Sequence, residues 1–145
     1  MRAIGLDLGS KRIGVALSDS DGRLALPYEV VNRSGDRDRD HGRIAELVAE
    51  TAAEVVVVGL PLSLDGGVGP AARRYLAEAR RLRATLGVPV ETYDERLTTV
   101  TAERSLRETD LPGRARRKVV DKVAASVMLQ SWLDQRARGE DPPLD

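Results

Sequence analysis

The sequence contains no cysteine and a single histidine, His41. Without cysteine there is no disulfide, no thiol nucleophile and no Cys-based zinc site. With one imidazole, a multi-histidine zinc or iron centre cannot be assembled, and a Ser-His-Asp triad would have to be built on His41 alone. Any chemistry therefore falls to carboxylates, hydroxyls, lysine or arginine. Aromatic residues are equally scarce. Tyr28, Tyr75, Tyr93 and Trp132 are the only four, too few for the base-stacking platforms of single-strand binders. The most apolar run, Val55 to Leu60, stops at Pro61, far short of the ~20 residues a bilayer requires. No charged segment followed by an apolar stretch opens the chain, so a soluble cytoplasmic protein with no membrane partner is expected. Net charge is missing too: 23 basic and 23 acidic residues balance to zero, and attraction to a polyanion must come from uneven distribution over the surface. Arginine outnumbers lysine 20 to 3, which suits bidentate phosphate recognition but equally follows from genome base composition.

What is present fits one domain. The chain has 145 residues, and a chain of about this length buries roughly two-thirds of its unfolded surface without covalent staples. Residues 1–138 are expected to form a single domain and 139–145 a polar tail. Residues 2–8 alternate bulky Arg2, Ile4, Leu6 and Leu8 with small Ala3, Gly5 and Asp7, and a second alternating run, Arg12 to Leu17, follows Gly9-Ser10; this pattern predicts a hairpin. Leu24 to Val31 adds a third strand, and the polar segment Asn32 to His41 reads as a mobile loop. Helical spacing of Ile44, Leu47, Val48 and Ala52 leads into Val55 to Val58, a β-branched run typical of a strand covered on both faces. Residues 71–86 form an Arg-rich helix ending at Gly87, and Val88 to Tyr93 another strand. A short helix over 98–107, a break at Leu111-Pro112-Gly113 and a last helix from about Arg114 to Arg138 complete the order. The fold class is α/β: a mixed five-stranded sheet with helices on both faces.

Three carboxylates stand out. Asp7 ends the first strand, and its same-face neighbours Ala3 and Gly5 are small, so substrate or another element can approach closely. Its alternative role is that of a turn residue bonding backbone amides. Asp94-Glu95-Arg96 follows the strand ending at Tyr93, and strand ends are where open α/β sheets keep their sites; charged loop residues are, however, most often solvated surface. On a helical wheel Asp121 falls between Met128 and Trp132, at one edge of an apolar arc comprising Val120, Val123, Ala124, Val127, Met128 and Trp132. An unpaired carboxylate there costs several kcal/mol, so Asp121 must be protonated, ion-paired or metal-bound. Taken together, Asp7, Glu95 and Asp121 make a set of hard oxygen ligands suited to Mg2+ or Mn2+ rather than zinc. Two such ions about 4 Å apart activate water and stabilise the leaving oxygen of a phosphodiester. Arg73, Arg74, Arg80, Arg81 and Arg83 on one helix, and Arg114, Arg116, Arg117, Lys118 and Lys122 at the start of the last, supply basic clusters. Positive charge at a helix start opposes the helix dipole, which points to a phosphate partner unless the helix begins nearer Val119.

Four segments carry a resemblance: Gly5-Leu-Asp7-Leu-Gly-Ser-Lys11-Arg12-Ile-Gly-Val-Ala-Leu-Ser-Asp19, Gly59-Leu-Pro61 with Asp65-Gly66, Asp94-Glu95-Arg96-Leu-Thr98-Thr99, and Asp121-Lys122-Val-Ala124-Ala125. In this order they resemble the YqgF (RuvX) family, over nearly the whole chain. Leu62-Ser63-Leu64 departs from the more usual Leu-Asn-Met. The resemblance implies a ribonuclease H-like fold related to the RuvC resolvases and a nuclease processing the 5′ end of precursor 16S rRNA, with resolution of branched DNA (Holliday junctions) as the alternative substrate. It places the acidic site on Asp7, Glu95 and Asp121, with Mg2+ or Mn2+ as cofactor. The expected nucleic-acid contacts are Lys11, Arg12, Arg96, Thr98, Thr99, Arg114, Arg116, Arg117, Lys118 and Lys122, on a monomer or homodimer. The first motif also looks like the phosphate loop of actin-like ATPases and sugar kinases, but those need two such domains to enclose a nucleotide. A non-catalytic nucleic-acid-binding module of the same fold is the remaining alternative.

Overall fold

Alternation in the first eighteen residues does fold as a hairpin. In the computed structural model, which describes residues 1–61, 67–94 and 113–139 and, in the last of these, side chains from residue 123, β1 (Ala3–Leu8) pairs antiparallel with β2 (Arg12–Ser18). A third strand, β3 (Ala25–Asn32), extends the meander, and a helix α1 (Arg37–Thr51) crosses to β4 (Val55–Leu60). Helix α2 (Pro70–Thr85), strand β5 (Val90–Asp94) and helix α3 (Gly113–Ala137) follow. The sheet order is β3-β2-β1-β4-β5, with β1, β4 and β5 mutually parallel. Their carboxyl ends therefore share one edge of the sheet. The chain between Pro61 and Gly67 and residues 95–112 lie outside the described residues, and with them the expected short helix over 98–107 and the segments Leu62-Ser63-Leu64 and Asp65-Gly66.

Both sheet faces are covered. Ile4, Leu6, Leu8, Ile13, Val15, Val56 and Val58 pack on one side with Ile44 and Leu47 of α1 and Ala79 and Leu82 of α2. On the other, Ala3, Ala16, Val55, Val57 and Tyr93 meet Ala125, Met128, Leu129, Trp132 and Leu133 of α3. All six residues of β4 are buried, as its β-branched run predicts for a central strand. Among the described residues no helix is long and apolar enough to cross a membrane.

Two expectations need correction. The polar segment 32–41 is no mobile loop: Asn32 closes β3, and α1 begins at Arg37. Asp36 caps that helix by accepting from the backbone N–H groups of Asp38 (3.0 Å) and Arg39 (3.3 Å), and Asp38 and Asp40 in the first turn suit the positive end of the helix dipole. Alternating Asp and Arg hid a cap and a first turn. The apolar face of the last helix is also rotated from the expected arc: the buried stripe runs through Ala125, Met128, Leu129, Trp132 and Leu133, while Val123, Ala124 and Val127 are only partly buried. That helix starts at Gly113, so the basic cluster from Arg114 does stand in its first turns.

Candidate active site at the carboxyl edge of the sheet

Asp7 is the penultimate residue of β1 and shares the α3 face with Ala3 and Gly5, since Ile4, Leu6 and Leu8 occupy the other. Its neighbours across both ladders are glycines: Gly14 in β2 and Gly59 in β4. The Asp7 carboxylate therefore has only glycines beside it on the neighbouring strands, a row without bulk that lets a ligand or another element come close. Two residues earlier such an approach is seen. A Cβ built on Gly5 would lie 2.9 Å from the Cβ of Leu129 and 3.3 Å from the carbonyl oxygen of Ala125. The small residues before Asp7 thus admit the backbone of α3.

Helix α3 is tied down on both sides of that contact. Gln130 Oε1 accepts from the N–H of Ala25 (2.8 Å) and its Nε2 donates to the carbonyl of Arg23 (2.8 Å). Trp132 Nε1 donates to Glu91 (3.0 Å), and the Tyr93 hydroxyl lies 2.6 Å from Ser131 Oγ and accepts from Gln135 Nε2. Upstream, Asp19 holds the turn into β3 by accepting from the N–H of Arg23 (2.8 Å), a bond that, with others like it, keeps its carboxyl below the ordinary range.

The other expected site residues fall as follows. Asp94 pairs with Leu60 at the end of β5 and alternates with Tyr93, which sets it with Val90 and Thr92 on the face opposite Asp7. Glu95, Arg96, Thr98 and Thr99 lie outside the described residues. Residue 121 is inside α3, but its side chain, like those of Arg114, Arg116, Arg117, Lys118 and Lys122, lies outside them. Lys11 is exposed in the β1–β2 turn and Arg12 is half-buried at the start of β2. That turn is tight: the Gly9 N–H donates to the Arg12 carbonyl at 2.8 Å.

A second group of residues escaped the sequence reading. Glu78 of α2 is buried (3% exposed) and accepts a bidentate pair from Arg33, 2.8 Å at each oxygen, and a 2.7 Å bond from His41 Nε2. A carboxylate oxygen can only accept, so the His41 Nε2 carries the proton. Burial pushes the Glu78 pKa up, but the bonds from His41 and Arg33 outweigh it and hold the carboxyl at about 2. The bonds to Glu78 raise the pKa of Arg33. Arg33 Nε also donates to the carbonyl of Gly9 (2.7 Å), so this ion cluster joins α1, α2 and β3 to the turn that follows Asp7. Arg33 and Glu78 of this cluster line a cleft of about 810 Å³ together with Gly9, Ser10, Lys11, Gly35, Arg37, Asp40, Arg74 and Tyr75. The signal for it lay in the helix periods: His41 stands three residues before Ile44, and Glu78 four before Leu82, in line with the buried apolar positions of their helices.

Residues 1–135 match the profile of a family described as "RuvX: Holliday junction resolvase". A protein of Mycobacterium sp. (strain KMS) named "Putative pre-16S rRNA nuclease" is 52% identical over 136 residues, covering 93% of this chain and 80% of that one. One of Desulforudis audaxviator bearing the same name is 46% identical over 141 residues, covering 97% and 99%. Among solved structures, Thermus thermophilus RuvC in complex with a Holliday junction substrate superposes with a TM-score of 0.60 at 18% identity, over 99% of both chains. The architecture is that of the RuvC resolvases, a ribonuclease H-like fold.

Proposed function

We propose, since this chain belongs to the RuvX family, that it is a metal-dependent nuclease whose substrate is structured nucleic acid, namely the 5′ end of precursor 16S rRNA. The observation that carries this reading is the placement of Asp7 between Gly14 and Gly59 at the edge where β1, β4 and β5 all end. Glu95 comes directly after Asp94, the last residue of β5. Position 121 precedes Ala125 by one turn of α3, within about 40° of it around the helix and about 20° of Met128 and Trp132, which belong to the stripe packed on the Asp7 face. We assign Asp7, Glu95 and Asp121 the catalytic and metal-binding roles.

Carboxylate oxygens in that number, with neither sulfur nor imidazole among them, fit Mg2+ or Mn2+. When bound, a pair of such ions supplies a more acidic water and charge stabilisation at the leaving oxygen. The chain's own part is to hold the three carboxylates on a rigid edge and to hold the phosphate backbone against them. Lys11, Arg12, Arg96, Thr98, Thr99, Arg114, Arg116, Arg117, Lys118 and Lys122 are the proposed backbone contacts, within one nuclease domain over residues 1–138. The relatives named for precursor rRNA, at about half identity, favour RNA; the family's description favours a branched DNA junction as the second reading.

Incubation of the purified protein with labelled precursor 16S rRNA and with four-way DNA junctions, in Mg2+ or Mn2+ and in chelator, decides between them. Cleavage of the rRNA with metal alone is expected, reduced roughly 1000-fold or more in Asp7→Asn, since several kcal/mol of transition-state stabilisation is removed. Cleavage of the junction alone would establish the resolvase reading. Binding of either substrate without cleavage would leave a non-catalytic module.

A further inference from the structure

The cleft above the Arg33–Glu78–His41 cluster is on the α1 and α2 side of the sheet, opposite α3, and among the described residues Lys11 is the one expected nucleic-acid contact that lines it. Its charges divide into two kinds. Glu78 is neutralised by Arg33 and hydrogen-bonded by His41, and Asp40, 4% exposed, is occupied by the N–H (3.1 Å) and hydroxyl (2.7 Å) of Ser34. Lys11, Arg37 and Arg74 are exposed, and among the described residues none of the three makes an ion pair; Arg74 only lies 5.7 Å over the ring of Tyr75. Elsewhere on these helices Arg43 is paired with Glu29, Glu46 and Glu50 and Arg81 with Asp38, while exposed Arg39, Arg73 and Arg80 make no ion pair among the described residues and do not line the cleft.

Three uncommitted cations therefore rim one cleft, each from a different element: the β1–β2 turn, the first turn of α1 and the second turn of α2. Leaving like charges unpaired around a concavity is unfavourable unless an anion joins them. Spread over three elements instead of gathered on one point, they suit successive phosphates of a chain more than a single phosphate. The walls are fixed in advance. Ser34 and Asp40 tie the β3–α1 connection, and Arg33 locks the Gly9 carbonyl, so a bound strand would meet a rigid surface at small ordering cost.

We propose that this cleft is a second nucleic-acid subsite, in which Lys11, Arg37 and Arg74 hold the sugar-phosphate backbone of a strand that passes over the β1–β2 turn from the acidic edge. The proposal rests on the nuclease reading and extends it to a substrate that engages both faces of the sheet at once, as structured or branched nucleic acid can and a short single strand cannot.

The test measures binding apart from cleavage, by fluorescence anisotropy with labelled precursor rRNA and four-way junction in chelator. The double variant Arg37→Ala/Arg74→Ala should bind about 10-fold more weakly or worse, with a log–log salt slope smaller by about 2, and an unchanged melting temperature. Arg80→Ala, on another side of α2, should bind as wild type does. A mononucleotide should not compete; competition at comparable concentration would make the cleft a nucleotide pocket and overturn the proposal. So would a double variant that binds within twofold of wild type, or an equal loss in Arg80→Ala. Wild-type protein that neither binds nor cleaves nucleic acid would remove the nuclease reading itself, whereas wild-type cleavage with unaltered binding in the double variant removes the subsite alone.

Discussion

Glu78 is a carboxylate kept ionised in the interior by the Arg33 guanidinium and the His41 Nε2–H, and removing its charge leaves the Arg33 cation without its anion. Breaking a buried pair from one side costs about 3 to 5 kcal/mol, so Glu78→Gln should destabilise the fold by that order in urea unfolding at neutral pH; a variant as stable as wild type would mean that the cluster is dispensable. The acid dependence follows from the same bonds. The folded pKa of about 2 is below the ordinary 4.5, so the stabilisation is fully present above pH 4.5 and is lost as pH falls towards 2. A displacement of that size is linked to about 3 kcal/mol. Wild-type stability should decline over that window and Glu78→Gln should lack this part of the decline. Parallel pH profiles for the two proteins would contradict the assignment.

At the scale of elements, the approach of α3 to β1 is set by one missing side chain. A methyl group at Gly5 would sit 2.9 Å from the Leu129 Cβ, an atom fixed to the helix backbone that cannot swing aside. Gly5→Ala should therefore lift α3 from the sheet, cost about 1 to 3 kcal/mol as overpacking does, and lower cleavage more than it lowers stability, because position 121 rides on the same helix. Retained cleavage with normal stability would show that the spacing between α3 and β1 does not matter to the site. Gly5 is also where the sequence was most informative: the small residues flanking Asp7 on its face announced a close neighbour, and alternation and β-branching located every strand of the sheet to within two residues at either end. The start of α1 was not legible in the same way. Its first turn carries charges that solvation and capping explain equally well, and only the side-chain bonds of Asp36 to Asp38 and Arg39 separate the two. The direction of the α3 stripe was misjudged because valines at 120, 123 and 127 outweighed the alanine and leucine at 125 and 129; the sheet selects the face by fit against Gly5, which no wheel contains.

Over the whole molecule, a net charge of zero conceals separate regions. A carboxylate stands at the sheet edge, uncommitted cations rim the cleft behind it, and a basic stretch opens α3. Local motifs could point to Asp7, Glu95 and Asp121 one at a time. The cleft was illegible because Lys11, Arg37 and Arg74 are far apart in sequence and meet only when β1 and the two helices pack. Joining these regions is the claim that the three carboxylates share metal ions. Calorimetric titration of Mn2+ into wild-type protein and into Asp7→Asn, Glu95→Gln and Asp121→Asn tests it most directly, with thermal unfolding in chelator as the control for folding. Wild type should bind, each variant should lose most of that affinity, and metal-free Asp121→Asn should be at least as stable as wild type, because a neutral amide relieves repulsion among clustered carboxylates. Undiminished Mn2+ binding in any of the three variants, or a clear loss of stability in Asp121→Asn, would contradict a shared site.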